Sequence, residues 1–297
     1  MQSDNKNGNF LSDSQITQYW DEGYLFPVPV FSKGEAASFR AELEQIEQDW
    51  GTSEKLGRPL VNYKRVHSEI VMPLATKMAL SPEVLDAVEG ILGPNIMIWG
   101  AEFFIKEAHS KHIVTMHQDL TYWGFGETSD QVTAWIALSP STVSSGCMDL
   151  VGGSHKKSLQ PHTDTMADNN LLSRGQEIAV EVTEKDKTHV ELQPGEMSLH
   201  HGQCIHGSGP NISDDRRIGF AIRYINTEVR QQSQKREYAM LARGVDRSDS
   251  FTHFAAPTRL FDPAALALYE EIRTEQTKVL AAGIKSKKAL YGENRAF

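Results

Sequence analysis

The residues of this chain best suited to chemistry are His117, Asp119 and His206, with Arg217 following them. In His117-Gln118-Asp119 a histidine and an aspartate stand two residues apart. On an extended backbone such residues point to the same side, so an imidazole nitrogen and a carboxylate oxygen can converge on one cation. Further along, Ile205-His206-Gly207-Ser208 brings a second imidazole from another β segment. Two imidazoles and one carboxylate on one face of an octahedral ion leave three positions open, an arrangement suited to iron(II). Arg217 lies eleven residues after His206 (217 − 206 = 11), at or just before an expected strand over Ile218 to Tyr224. Its planar guanidinium can grip a carboxylate through two parallel hydrogen bonds. Each part alone is common. A His-x-Asp pair also reads as a surface contact, and with eleven histidines in the chain a third is easily found. Order and placement on strands join them; spacing alone does not.

Such a constellation needs a rigid β scaffold, and the chain supplies one from Ile96 onward. Ile96 to Trp99, Phe103 to Ile105, Val132 to Leu138, Cys147 to Val151, Ile178 to Val182, His189 to Leu192, Met197 to His201 and Ile218 to Tyr224 have strand character. Glycine and proline turns separate them, which predicts an antiparallel sandwich or barrel rather than alternating β-α units. Ahead of this core, Ser12 with Gln15 and Ser32 with Glu35 stand at capping-box spacing and predict two helices. Phe39, Leu43, Ile46 and Trp50 then recur at helical spacing. A third helix runs from Ser81-Pro82-Glu83 to Gly93-Pro94. Residues 51–72 read as loop with short extended pieces, 156–175 as a polar loop over one end of the sheets, and Asp262-Pro263 opens a last helix reaching about Ala282. The expected layout is one domain over 1–297: a disordered leader (1–10), a mostly helical part (11–95), a β core carrying the metal site (96–226), and a loop with a C-terminal helix (227–297).

Composition narrows the partners. The 30 basic and 39 acidic residues give a formal charge of −9, which disfavours nucleic acid and anionic lipid but not an anionic small molecule in a local pocket. The two cysteines, Cys147 and Cys204, read as buried thiols in a reducing compartment. Met1 to Phe10 is polar, without the apolar stretch of a signal peptide. No run approaches the ~18 apolar residues of a membrane span. The expectation is a cytoplasmic protein with a small-molecule substrate and neither nucleic-acid nor membrane partners; the oligomeric state is not legible.

Three runs carry a likeness to a known family: HQDLTYWGF from His117, GCMDLVGGSHKKS from Gly146, and HGSGPNISDDRR from His206. With the opening QYWDEGYLFP from Gln18, they resemble the phytanoyl-CoA dioxygenase family of iron(II)/2-oxoglutarate-dependent oxygenases, which also includes ectoine hydroxylase. The likeness extends from about Gln18 to Asn226. It implies an α+β fold with a mainly β core, a double-stranded β-helix (jelly-roll, cupin-like) buttressed by helices. It implies His117, Asp119 and His206 as iron ligands, Arg217 as the partner of the distal carboxylate of 2-oxoglutarate, and Ser208 as the hydroxyl beside it. Trp135 matches a tryptophan near the cosubstrate, Gln118 sits inside the metal motif, and Glu102 falls on a strand that lines the pocket in relatives. Gly152-Gly153-Ser154-His155 stands where the family often has Pro-Gly-Ser-His, a structural loop.

By the same resemblance the cofactors are Fe(II), 2-oxoglutarate and O2, and the products succinate, CO2 and an oxidised metabolite. The presence of Asp119 implies hydroxylation or a related oxidation, since related halogenases lack this carboxylate so that chloride can take its place. A metal- or 2-oxoglutarate-binding module without turnover and a zinc cupin-type enzyme are the competing readings. Of the neighbouring residues, His200 and His201 face opposite ways on a strand, so one is expected in the sheet and one at its surface. Arg216 is expected to point away from Arg217 into a surface ion pair. His155 and His162 are read as loop residues able to gate a pocket, Tyr122 and Trp123 as core aromatics.

Overall fold

The structure, a computed structural model, describes residues 10–164, 169–172, 176–232 and 236–281. Positions 1–9 of the expected leader and the end of the last helix at Ala282 lie outside the described residues. Helix α1 (Asp13–Glu22) starts at Ser12, whose hydroxyl accepts from the Gln15 N–H while the Gln15 side chain accepts from the Ser12 N–H. It ends on Gly23, whose φ of 82° is open to glycine at little cost. The edge strand β1 (Tyr24–Pro29) follows; its prolines, which hide a strand from sequence reading, are tolerated because an edge leaves N–H positions unpaired. Ser32 and Glu35 form the second capping box, opening α2 (Lys33–Trp50), which buries Ala36, Phe39, Leu43 and Ile46. Each cap is worth about 1 kcal/mol.

Where loop with extended pieces is expected, the chain forms α3 (Leu60–Arg65), α4 (Ser68–Val71) and α5 (Pro73–Ala79). Pro59 and Pro73 cut this stretch into helices of one or two turns, too short to display a helical period. Helix α6 (Pro82–Leu92) carries its proline at the first turn and stops at Gly93.

The β region comprises β2 (Ile96–Lys106), β3 (Val114–His117), the single turn α7 (Leu120–Trp123), β4 (Gln131–Ala137), β5 (Met148–Val151), β6 (His162–Asp164), β7 (Gln176–Ile178), β8 (Lys187–Val190), β9 (Glu196–His200), β10 (His206–Ser208) and β11 (Arg217–Asn226). The two strand pieces expected between Ile96 and Lys106 are one strand. Beyond the core, β12 (Glu237–Arg243) and β13 (Phe251–His253) stand where only loop is expected, before α8 (Pro263–Ala281). A seven-stranded sheet has the order β1-β9-β4-β11-β2-β12-β13, and a four-stranded sheet the order β3-β10-β5-β8. Two facing sheets of this kind form the double-stranded β-helix of cupin-like proteins.

The central strand β11 shows how the sequence sorts its two faces. Ile218, Phe220, Ile222 and Tyr224 join the main core, together with residues of α2, α5 and α6. The alternate residues Arg217, Ala221 and Arg223 line a pocket on the opposite face. Tyr224 locks the helical layer to the sheet by donating its hydroxyl to the Ala79 carbonyl at 2.6 Å. Among the described residues, no helix is long and apolar enough to cross a membrane.

Candidate metal centre

Strand pairing brings the two histidines together. His206, first residue of β10, is the antiparallel partner of His117, last residue of β3. Their rings lie 4.1 Å apart between centroids. Asp119 arrives by a different route from the one its spacing suggests. The strand ends at His117, and Asp119 already has helical dihedrals (φ −58°, ψ −46°) as the residue before α7. A strand-to-helix turn, rather than a continuous strand, swings its carboxylate back to 3.4 Å from His117 Nε2. One nitrogen or oxygen from each of His117, Asp119 and His206 lies within 4.8 Å of the others.

Both imidazoles are set for ligation by their far nitrogens. His117 Nδ1 donates to the Thr115 carbonyl and His206 Nδ1 to the Cys204 carbonyl, each at 2.9 Å, which leaves both Nε2 lone pairs for a cation. Burial pushes His206 well below the ordinary histidine value and the neighbouring His117 adds to this, so its lone pair is free at neutral pH. Burial pushes the Asp119 carboxyl up. The close His117 imidazole, with His206 and Arg223 around it, outweighs this and holds the group well below the usual carboxylate range. Thr133 donates to its second oxygen at 3.5 Å. The donor set therefore fits a divalent cation: two imidazole nitrogens, one carboxylate, one open side.

That side is a pocket whose wall includes Phe104, Val114, Thr133, Trp135, Met148, His200, Ser208, Arg217 and Arg223. At its end stands the buried Arg217, with the buried Lys106 amine beside it. Arg217 pairs in register with Lys106 across β11 and β2. Arg217 donates to the Gly146 carbonyl at 2.7 Å and lies 5.3 Å from the Trp135 ring centre. Its Nε is buried without a hydrogen-bond partner. Lys106, fully buried, donates to Ser208 Oγ at 2.7 Å and to the Gly209 carbonyl. Among the described residues neither group has a carboxylate within ion-pair distance, so the charged form of each is expensive to bury unless an anion is meant to sit there. Burial lowers Arg217 to about 10, so it stays charged at neutral pH.

Lys106 is a candidate site residue that sequence reading missed. A lysine at a strand end looks solvated; only its register opposite Arg217 could have flagged it. Gly219 is a second. It sits between Arg217 and Ala221, and a Cβ there would come within 1.8 Å of the Trp135 indole. Gly219→Ala should therefore drive Trp135 out of position and lower stability by about 1–3 kcal/mol through overpacking. The check is a thermal melt with the near-ultraviolet tryptophan signal; an unchanged melt and signal would refute the contact.

Other candidates fall elsewhere. Gln118 is fully buried with its side chain turned away from the pocket, donating to the Gln203 carbonyl and accepting from the Gln160 N–H. It ties the metal turn to the following loop. Glu102 lies on the inner face of β2, paired with Arg223 and 3.7 Å from Arg65 Nε. His200 and His201 are both buried, against the expectation of a surface position for one. His200 lies 4.0 Å from Asp119, while His201 packs at 5.3 Å on the His155 ring beneath α1. His162 accepts from the Gln118 N–H at 3.0 Å and so buttresses the metal turn. Arg216 points away to Glu47 and Glu107. Both cysteines are free and buried.

The model of the phytanoyl-CoA dioxygenase (PhyH) family matches residues 19–219, a span that holds the metal donors, Lys106, Arg217 and the strands bearing them. The chain belongs to the phytanoyl-CoA dioxygenase family. Its members are iron(II)/2-oxoglutarate-dependent oxygenases. The peroxisomal phytanoyl-CoA dioxygenase of Homo sapiens is 29% identical over 242 residues, covering 74% of this chain and 70% of that protein. The probable phytanoyl-CoA dioxygenase of Caenorhabditis elegans is 28% identical over 163 residues, 53% of this chain; the matched part spans 52% of that protein's length. Among solved structures, the non-heme monooxygenase ThoJ in its apo form superposes with a TM-score of 0.80 at 31% identity, covering 90% of this chain and 98% of ThoJ. The family likeness and this neighbour agree on the cupin-like fold.

Proposed function

We propose that this protein is an iron(II)- and 2-oxoglutarate-dependent dioxygenase that hydroxylates, or otherwise oxidises, a small-molecule metabolite and releases succinate and CO2. The observation that carries the reading is one pocket lined both by a His-Asp-His donor set and by the buried Arg217, with the Lys106 amine beside it and, among the described residues, no acidic partner for either. Family membership supports it, as do relatives named as dioxygenases. Bound iron and 2-oxoglutarate together would supply the activation of dioxygen.

In this reading His117, Asp119 and His206 hold the metal. Arg217 forks onto the distal carboxylate of the cosubstrate, with Lys106 and the Ser208 hydroxyl beside it. Trp135, Phe104 and Met148 wall the chain between the two ends and keep water out. Thr115 and the Cys204 carbonyl fix the imidazole orientations through the Nδ1 protons. The substrate reaches the open side next to Asp119, where Thr133, His200 and Arg223 form the wall. The test is succinate formation from 2-oxoglutarate with iron(II) and oxygen. Slow, oxygen-dependent, uncoupled turnover is expected even without the primary substrate, and its absence from folded, iron-loaded protein would favour a pure binding module.

Lys106 gives this reading a pH signature. Burial and the adjacent Arg217 charge push it down from 10.5 to about 6. Between those values the folded chain holds fewer protons than the unfolded one. The cost to stability is therefore full below pH 6 and is relieved as pH rises towards 10.5. A carboxylate docking beside Lys106 would restore its charge, so binding takes up a proton throughout that window. Apparent 2-oxoglutarate affinity should fall as pH is raised from about 7 to 9, by up to roughly tenfold per unit. Calorimetry in buffers of different ionisation enthalpy should register up to one proton taken up. Affinity that is flat across this range would rule the coupling out.

A further inference from the structure

A second group of donor side chains lies on the outer face of the four-stranded sheet. Asp149 on β5 is the register partner of His189 on β8, and Cys147, immediately before the strand begins, stands two residues ahead of Asp149. Met148, between them, points the other way and lines the iron pocket. A ligand atom from each of Cys147, Asp149 and His189 lies within 4.8 Å of the others. His189 Nδ1 is 2.6 Å from Asp149 Oδ1, and its Nε2 is 3.6 Å from Glu184. An exposed His-Asp pair alone is an ordinary surface contact worth less than about 1 kcal/mol. What sets this one apart is the thiol at its base. Cys147 is 2% exposed while the His189 side chain is 39% exposed, so the cluster runs from a buried sulfur to a solvent-facing imidazole.

We propose that Cys147, Asp149 and His189 form a second metal site, distinct from the iron centre, that takes a thiophilic divalent cation such as zinc(II). Sulfur, nitrogen and oxygen donors in a cluster of this size match three corners of a tetrahedral zinc site, with the fourth corner facing solvent at His189. The iron centre has no thiolate, so the two sites differ in the cation each favours. On binding, the Cys147 S–H proton leaves to solvent as the metal–sulfur bond forms, while a neutral His189 ligates through one nitrogen and keeps its N–H on the other; no electron is transferred. Without a metal, burial together with the carboxylates of Asp149 and Glu191 pushes the thiol up to about 12, leaving it protonated. Those two carboxylates favour a cation at the site, against the opposing fields of Arg217 and Lys106 on the thiol.

Cobalt(II) titrated into the whole protein separates the sites, because only thiolate ligation gives an intense near-ultraviolet charge-transfer band. The proposal predicts such a band, lost in Cys147→Ser while one cobalt remains at His117, Asp119 and His206. His189→Ala, a change at an exposed side chain, should weaken the cobalt affinity read from the band by tenfold or more. No band in cobalt-saturated protein would overturn the site. So would a band that survives Cys147→Ser, which would assign it to Cys204. If Cys147→Ser fails to fold, an unaltered band in His189→Ala decides against the proposal.

Discussion

His206→Ala should abolish turnover and lower iron(II) affinity by about a hundredfold or more, while the chain stays folded. In the proposed reading the imidazole is one of three donors, and its Nδ1 hydrogen bond to the Cys204 carbonyl orients the ring so that Nε2 meets the metal. The remaining donors, His117 and Asp119, form a two-point site 3.4 Å apart that cannot fix an octahedral face. Equilibrium dialysis with iron(II), paired with far-ultraviolet circular dichroism, separates metal loss from misfolding. A folded variant that keeps full iron affinity would show that the donor set has been misassigned.

The second large effect is expected at the other end of the pocket. Arg217→Met keeps the volume of the side chain but removes the guanidinium. Truncating one member of a buried, hydrogen-bonded charge pair costs about 2–5 kcal/mol, so 2-oxoglutarate should bind roughly 30- to several-thousand-fold more weakly. Iron affinity without cosubstrate should be unchanged. The same variant should be no less stable than the parent when no cosubstrate is present. It deletes a 2%-exposed cation whose Nε lacks a partner, and with it a desolvation cost. A rise in cosubstrate KM with an equal or higher melting temperature is the joint signature; a lower melting temperature with unchanged KM would make Arg217 structural.

Much of this arrangement was legible from residue types. Ser12 and Ser32 announce their helices because a capping box places two hydrogen bonds at a fixed spacing. For His117, Asp119, His206 and Arg217 a family pattern implies roles in one site, and the structure gathers them around one pocket. What stayed hidden depended on register or on length. Lys106 acquires its place because β2 pairs with β11 so that it faces Arg217, a relation invisible along the chain. The strand after residue 236 was lost in a segment rich in arginine and serine, although β12 buries Ala239 and Met240 against the main sheet. His200 reads like any strand histidine until β9 is set beside β4, opposite Thr133 on the pocket wall. Gln118 shows the converse: adjacency to two metal donors suggests a pocket role, yet the turn between them sends its side chain the other way.

Anaerobic addition of iron(II) and then 2-oxoglutarate to the purified protein addresses the metal donors and the cation pair together. Chelation of the cosubstrate at a His-Asp-His iron should produce a weak visible charge-transfer band that saturates with one equivalent of each and is missing in His117→Ala. Iron-loaded, folded protein that gives no such band with excess 2-oxoglutarate would contradict the assignment of this pocket.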